Sequence, residues 1–166
     1  MPVHSAGLLL YRVTDAAAEV FIAHMGGPYW AAKDDAAWSV PKGEYDPDTE
    51  SALDAARREF EEELGVAPPP EPYAELGTWA YSSGKRITVF IVDGAVFDPG
   101  DFAFGEFELE WPPRSGKTAS FPEVDRAEWM PLPAARDKLV KGQRPALDAL
   151  EQRLAEAEAD AEADAG

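Results

Sequence analysis

The sequence predicts a single α/β domain on three observations. Apolar strand-like segments recur from one end to the other, a helix free of internal Gly and Pro interrupts them, and hydrophobic residues make up 45% of a 166-residue chain. At roughly 100–200 residues per domain, that length supports one core. An aromatic content of 11% is ordinary globular usage and unlike the apolar-poor profile of a disordered chain.

Residues 5–13 (SAGLLLYRV) and 19–24 (EVFIAH) are apolar runs separated by a short polar break at Thr14 and Asp15, which predicts a pair of strands. Residues 25–37 carry the Gly-Gly-Pro and Asp-Asp clusters of a loop, ahead of a short strand at 38–40. After Pro41-Lys42-Gly43 and a turn-rich EYDPD, residues 51–64 hold helix formers throughout. Ser51 with Asp54 three positions later is a capping-box variant with Asp in place of Glu or Gln, and Gly65 supplies the stop. Leu53, Ala56, Phe60 and Leu64 share one stripe at ~100° per residue, the face expected to pack on the sheet. The proline run at 68–72 then resets the chain.

Residues 74–81 and 87–92 predict further strands, and 106–111 (EFELEW) alternates acid with apolar as a half-buried strand does. Residues 129–132 read as a closing edge before a short helix at 134–140, and a last helix spans about 144–157. Residues 158–166 alternate Ala with acid and contain no large apolar side chain. The expectation is a domain over residues 1–157 and a frayed or disordered acidic tail over 158–166.

Composition removes several function classes. Lys and Arg number 15 against 32 Asp and Glu, a net charge of −17 that repels duplex nucleic acid and anionic membrane surfaces. The absence of cysteine excludes disulfide scaffolds, thiolate-ligated zinc, thiol nucleophiles and iron–sulfur clusters. With His4 and His24 read as structural, the default metal is a hard cation on carboxylates. The first residues have too short an apolar run for a membrane span and no basic leader, so a cytoplasmic address is expected.

The helix at 51–64 carries the chemistry. Glu59, Glu62 and Glu63 stand at i, i+3 and i+4 within an arc of ~100°, while Glu61 points elsewhere. Like charges so spaced destabilise a helix by about a few tenths of a kcal/mol per pair. A divalent cation among them removes that cost, so the arrangement is that of a Mg²⁺ or Mn²⁺ site.

Taken together, Gly43, Glu50, Arg58, Glu59, Phe60, Glu62, Glu63, Gly65 and Val66 resemble the Nudix box, the glycine-to-helix signature of the Nudix hydrolases. Six residues separate Gly43 from Glu50 where the family usually has five, a departure confined to the loop. Glu123, shortly before Trp129, matches a further loop glutamate of the family, so the resemblance covers roughly residues 5–150. It implies an α/β/α sandwich with a mixed β-sheet between helices, and hydrolysis of a nucleoside diphosphate linked to another group with Mg²⁺, or Mn²⁺, as cofactor.

By that resemblance Glu59 and Glu63 are metal ligands, Glu62 shares a second metal or holds its waters, and Glu123 is a ligand or the general base. Glu62, Glu63 and Glu123 form the implied catalytic set. Arg58 is expected to pair with Glu50 and, with Gly43, to hold the loop on the helix. Lys42 reads as a phosphate contact or as a solvent lysine. Tyr81, downstream of the box, and the PKG lead-in resemble diadenosine tetraphosphate hydrolases, although a strand tyrosine also suits core or rim. Arg114 and Lys117 in WPPRSGK could clamp distal phosphates or lie in a solvent loop, and Tyr29 with Trp30 could stack on a base or pack over the sheet edge. The implied partner is a small nucleotide, a dinucleoside polyphosphate first. Nucleoside triphosphates, nucleotide sugars, RNA 5′ ends and a non-catalytic sensing module are the alternatives.

Overall fold

Alternation along three strands decides the layering, because successive side chains of a strand point to opposite faces. In the computed structural model, which describes residues 2–98 and 100–165, these are β1 (His4–Val13), β2 (Ala18–Met25) and β6 (Arg86–Asp93). Leu9, Val20, Ile22, Val89 and Ile91 are buried on one face with residues of α2 (Leu132–Lys138) and α3 (Arg144–Ala165). Leu8, Leu10, Phe21, Phe90 and Val92 are buried on the other with α1 (Ala52–Leu64). The result is the expected α/β/α sandwich.

The remaining strands are β3 (Trp38–Ser39), β4 (Lys42–Tyr45), β5 (Ala74–Ala80), β7 (Glu106–Glu110), β8 (Thr118–Pro122) and β9 (Val124–Pro131). The main sheet runs β3-β2-β1-β6-β5, with β4 joined to β1 and β9 to β2, while β7 and β8 form a separate two-stranded hairpin. Pairing of β1 with β6 is parallel and the other ladders are antiparallel, which makes the sheet mixed. Leu10–Val13 of β1 pair with β2, but His4–Gly7 pair with β4. The two strands therefore part company toward the start of β1, and β3 and β4 enter the opening.

Helix α1 is built as its sequence dictates. Ser51 Oγ accepts the Asp54 N–H at 3.2 Å, and Gly65, at φ +72°, donates its N–H to the Glu61 carbonyl at 2.8 Å. A Cβ at Gly65 would run into the backbone of Ala103, so the stop also lets the chain pass closely. The buried face is Ala55, Ala56, Phe60 and Leu64, with Leu53 only partly covered.

Four elements differ from the sequence reading. β4 occupies what reads as a turn, since four residues, Gly43 among them, leave no periodicity to detect. β8 has polar residues at its exposed positions and is defined by pairing with β7. β9 is a full-length partner of β2 rather than a short edge. Helix α3 continues through the segment expected to be frayed or disordered, as far as Ala165, although residues 155–165 are all exposed. Ala and Glu are strong helix formers and extend an existing helix without burial. Among the described residues, no helix is long and apolar enough to cross a membrane.

Phe60 is fully buried at the centre of the α1 face, so Phe60→Ala is expected to cost about 3–5 kcal/mol, read as a lower midpoint in urea unfolding. Deleting residues 158–166 should leave that midpoint unchanged, because the exposed helix contributes no core.

Candidate active site

The carboxylates of α1 meet the main sheet at β4. Gly43 makes that approach possible: a Cβ there would collide with the Glu59 carboxylate, so only hydrogen leaves it room. The six-residue loop between Gly43 and Glu50 is closed by a turn at Asp46, whose carbonyl accepts the N–H groups of Thr49 at 3.1 Å and Glu50 at 3.0 Å. The additional residue is thus absorbed before Glu50, and the helix face is undisturbed.

Arg58 organises the acids. Its Nε and Nη2 donate to the two Glu50 oxygens, both at 2.8 Å, while Nη1 donates to Glu59 Oε1 at 2.7 Å and Glu62 Oε2 at 3.1 Å. A planar guanidinium suits this forked recognition. Glu63 turns the other way and accepts the backbone N–H of Lys42 at 3.3 Å. Burial pushes the Glu63 carboxyl up to about 8, against the opposing pull of Lys42. Burial likewise raises Glu59, against Arg58, and raises Glu123 with help from the charges of Glu59 and Glu62. Burial lowers the Lys42 ammonium while Glu63 supports it.

Glu123 reaches the same place from the end of the β7–β8 hairpin. Its N–H donates to the Gly105 carbonyl at 2.8 Å and its carbonyl accepts the Gly26 N–H at 2.9 Å, while the Gly105 N–H donates to the Glu63 carbonyl at 3.2 Å. The backbone of Glu123 is thereby stitched to α1 and to the loop after β2. Between them lies a cleft of about 260 Å³ lined by Lys42, Glu63, Glu123, Ser39, Trp30 and Phe107, among others.

Among the described residues, no three His, Asp or Glu side chains converge tightly enough to hold an ion. Glu59 and Glu62 lie on Arg58 and Glu63 on the Lys42 amide, which is where their charges find partners. The donor chemistry nevertheless fits a hard divalent cation: Glu59, Glu63 and Glu123 are held up by burial and by the charge of neighbouring glutamates, and added positive charge relieves both.

The other sequence-predicted residues lie outside the lining of this cleft. Tyr29 is exposed, edge-on to Trp111 at 5.5 Å, and Arg114 and Lys117 lie in the exposed turn of the β7–β8 hairpin. Tyr81 is packed against Gly142, and its hydroxyl accepts from Gln143 Nε2 at 3.0 Å. That contact belongs to a network with no sequence forewarning. Gln143, 1% exposed in a 3-10 turn (Lys141–Gln143), also donates to Ser39 Oγ at 2.9 Å and accepts the Val40 N–H at 2.8 Å. One amide thus braces the wall that leads into Lys42, from a position about a hundred residues away. His24, fully buried, stands between Asp125 at 2.8 Å and the Lys33 carbonyl at 2.6 Å and ties the loop after β2 to β9.

Gln143→Leu leaves the Val40 N–H without its acceptor and the Ser39 and Tyr81 hydroxyls without the amide donor they share. The expected loss is about 1–3 kcal/mol, measured by urea unfolding.

A family model described as the NUDIX domain matches residues 3–150. Over 54 residues the chain is 44% identical to an uncharacterized 17.7 kDa protein from the e-segB intergenic region of Enterobacteria phage T4, a match spanning 32% of this chain and about a third (36%) of that relative's length. Among solved structures, the binary complex of the C. elegans Ap4A hydrolase is similar with a TM-score of 0.58 at 21% identity, covering 92% of this chain and 98% of that one. The NUDIX domain of Shewanella oneidensis NrtR, complexed with ADP ribose, gives 0.61 at 14% identity, covering 93% and 89%. The Nudix hydrolase RenU of M. smegmatis gives 0.51 at 23% identity, covering 95% and 86%. At such identities the structural likeness is one of fold, and with the family match across nearly the whole described sheet it establishes that the chain belongs to the NUDIX family.

Proposed function

We propose that the protein is a cytoplasmic, metal-dependent hydrolase of the pyrophosphate bond in a nucleoside diphosphate linked to another group, with a dinucleoside polyphosphate such as diadenosine tetraphosphate as its preferred substrate. The observation that carries this reading is the cleft in which Glu63 of α1 and Glu123 of the hairpin meet Lys42, Trp30 and Phe107, with Glu59 and Glu62 held by Arg58 on the same helix. The family match and the fold likeness to the C. elegans Ap4A hydrolase support it.

Glu59, Glu62, Glu63 and Glu123 would hold Mg²⁺ or Mn²⁺. When bound, the cation neutralises phosphate charge and polarises the attacked phosphorus. The chain's own residues do the rest. Of Glu63 and Glu123, which both line the cleft, one takes the single proton released by the attacking water while the other stays with the cation. Lys42 presents its ammonium to a phosphate oxygen, and Arg58 keeps Glu59 and Glu62 from drifting while anchoring the loop through Glu50. Ser39 and Gln143 fix the backbone that leads into Lys42. A surface charge of −17 leaves long nucleic acid outside the substrate class.

Product chromatography on diadenosine polyphosphates, nucleoside triphosphates, ADP ribose and other nucleotide sugars, with Mg²⁺, Mn²⁺ or chelator, tests the reading. The expected result is chelator-sensitive conversion of diadenosine tetraphosphate to ATP and AMP, faster than any other substrate. Faster cleavage of a different substrate overturns the substrate assignment, and chelator-resistant cleavage overturns the metal. Glu59→Gln and Glu63→Gln should each lower turnover by orders of magnitude with the circular dichroism spectrum unchanged; full activity in either variant removes that residue from the site.

A further inference from the structure

The β7–β8 hairpin stands apart from the main sheet and makes no strand pairing with it. Its two faces differ in chemistry. Phe107, Leu109 and Trp111 alternate with Glu106, Glu108 and Glu110, so one face is apolar and the other acidic. The apolar face leans on the loop after β2, where Gly27 passes so close to Phe107 that a Cβ would stand 2.8 Å from the ring.

A chain of aromatic contacts leads outward from the cleft along this face. Phe107 in the cleft wall lies 6.2 Å from Phe121, Phe121 lies 6.3 Å from Trp111, and Trp111 meets Tyr29 edge-on at 5.5 Å. The outer end is uncovered: Tyr29 is 54% exposed, the most exposed aromatic side chain among the described large hydrophobic residues. Immediately beyond Trp111 the turn carries Arg114 and Lys117. Neither side chain takes part in an ion pair among the described residues, and Glu110 is occupied by the Arg114 backbone N–H at 2.7 Å.

The exposed Tyr29 ring, edge-on to Trp111, whose backbone N–H donates to the Lys117 carbonyl at 2.9 Å across the turn that also carries Arg114, is matched in a chain of net charge −17 to a ligand that joins a flat base to phosphate. We propose that the hairpin and Tyr29 form a second nucleotide subsite, in which a base stacks at Tyr29 and Trp111 while Arg114 and Lys117 hold the adjoining phosphate. Resting on the hydrolase reading above, the subsite takes the far nucleoside of a substrate whose near phosphates lie at Glu63 and Glu123. The same chemistry could come from a free mononucleotide, and two measurements separate the sources.

In the first, kcat/KM is compared for diadenosine tetraphosphate and adenosine 5′-tetraphosphate, which has the same phosphates and lacks the second base. Trp111→Leu should lower the ratio of the two about tenfold, the scale of one base–aromatic stack, with Trp111→Phe restoring most of it. Arg114→Ser combined with Lys117→Ser should lower both values, less at high salt. In the second, AMP is titrated calorimetrically with chelator present; Trp111→Leu should weaken binding about tenfold while the thermal midpoint stays within the range of Trp111→Phe. An AMP affinity untouched by Trp111→Leu overturns the subsite. An affected AMP affinity with an unaffected substrate ratio shows a free-nucleotide site and overturns the assignment to the far nucleoside. If the panel of the preceding section shows no cleavage of dinucleoside polyphosphates, the substrate reading fails while the calorimetric result still decides the subsite.

Discussion

Strand β1 hydrogen-bonds β2 through Leu10–Val13 but β4 through His4–Gly7, while remaining parallel to β6 along nearly its whole length. A strand has two edges, and with β6 holding one of them, β2 and β4 must share the other. β2 therefore diverges from β1, and the opening between them receives β3, β4 and the backbone of Lys42. The cleft, the approach of α1 to Gly43 and the entry of Glu123 beside Met25 and Gly26 all follow from that change of partner.

Electrostatics then works against the geometry. Crowding Glu59, Glu63 and Glu123 into a partly buried site raises all three carboxyls, and the fold offsets the repulsion with two cations placed on opposite sides. Arg58 satisfies Glu50, Glu59 and Glu62 from the solvent side of α1. Lys42 serves Glu63 from the sheet side, through its backbone N–H and its ammonium charge. The two acids left facing the cleft, Glu63 and Glu123, are those without a guanidinium partner. A divalent cation would be a third source of positive charge in a site already organised around two.

What could be read from the sequence follows the range of the interactions concerned. Helix α1, its Ser51 cap, its Gly65 stop and the spacing of its glutamates are local, and so were visible in order and in period. The strands that supply the two cores announced themselves by apolar runs. By contrast, β4 and β8 owe their existence to partners elsewhere, and the bond between Gln143 and Val40 crosses about a hundred residues without any local mark. Tyr81 shows the same limit from the other side. Its sequence position suits a substrate contact or a place in the core or rim, and only the fold shows its hydroxyl accepting from Gln143 and its ring lying on Gly142. Helix α3 outruns its sequence expectation because absence of apolar residues argues against burial, not against helix.

That helix has a consequence for how copies of the molecule meet. Leu154 is its last partly buried residue, and at 1.5 Å per residue the exposed turns from there to Ala165 reach ~16 Å, close to the ~15 Å radius of gyration of a body this size. Glu156, Glu158, Asp160, Glu162 and Asp164 ride on it, with no basic residue in the last turn. Each molecule thus carries a charged spar that enlarges its excluded volume, slows its tumbling about the transverse axes and keeps neighbours at a distance in concentrated solution, an effect that fades as added salt shortens the screening length.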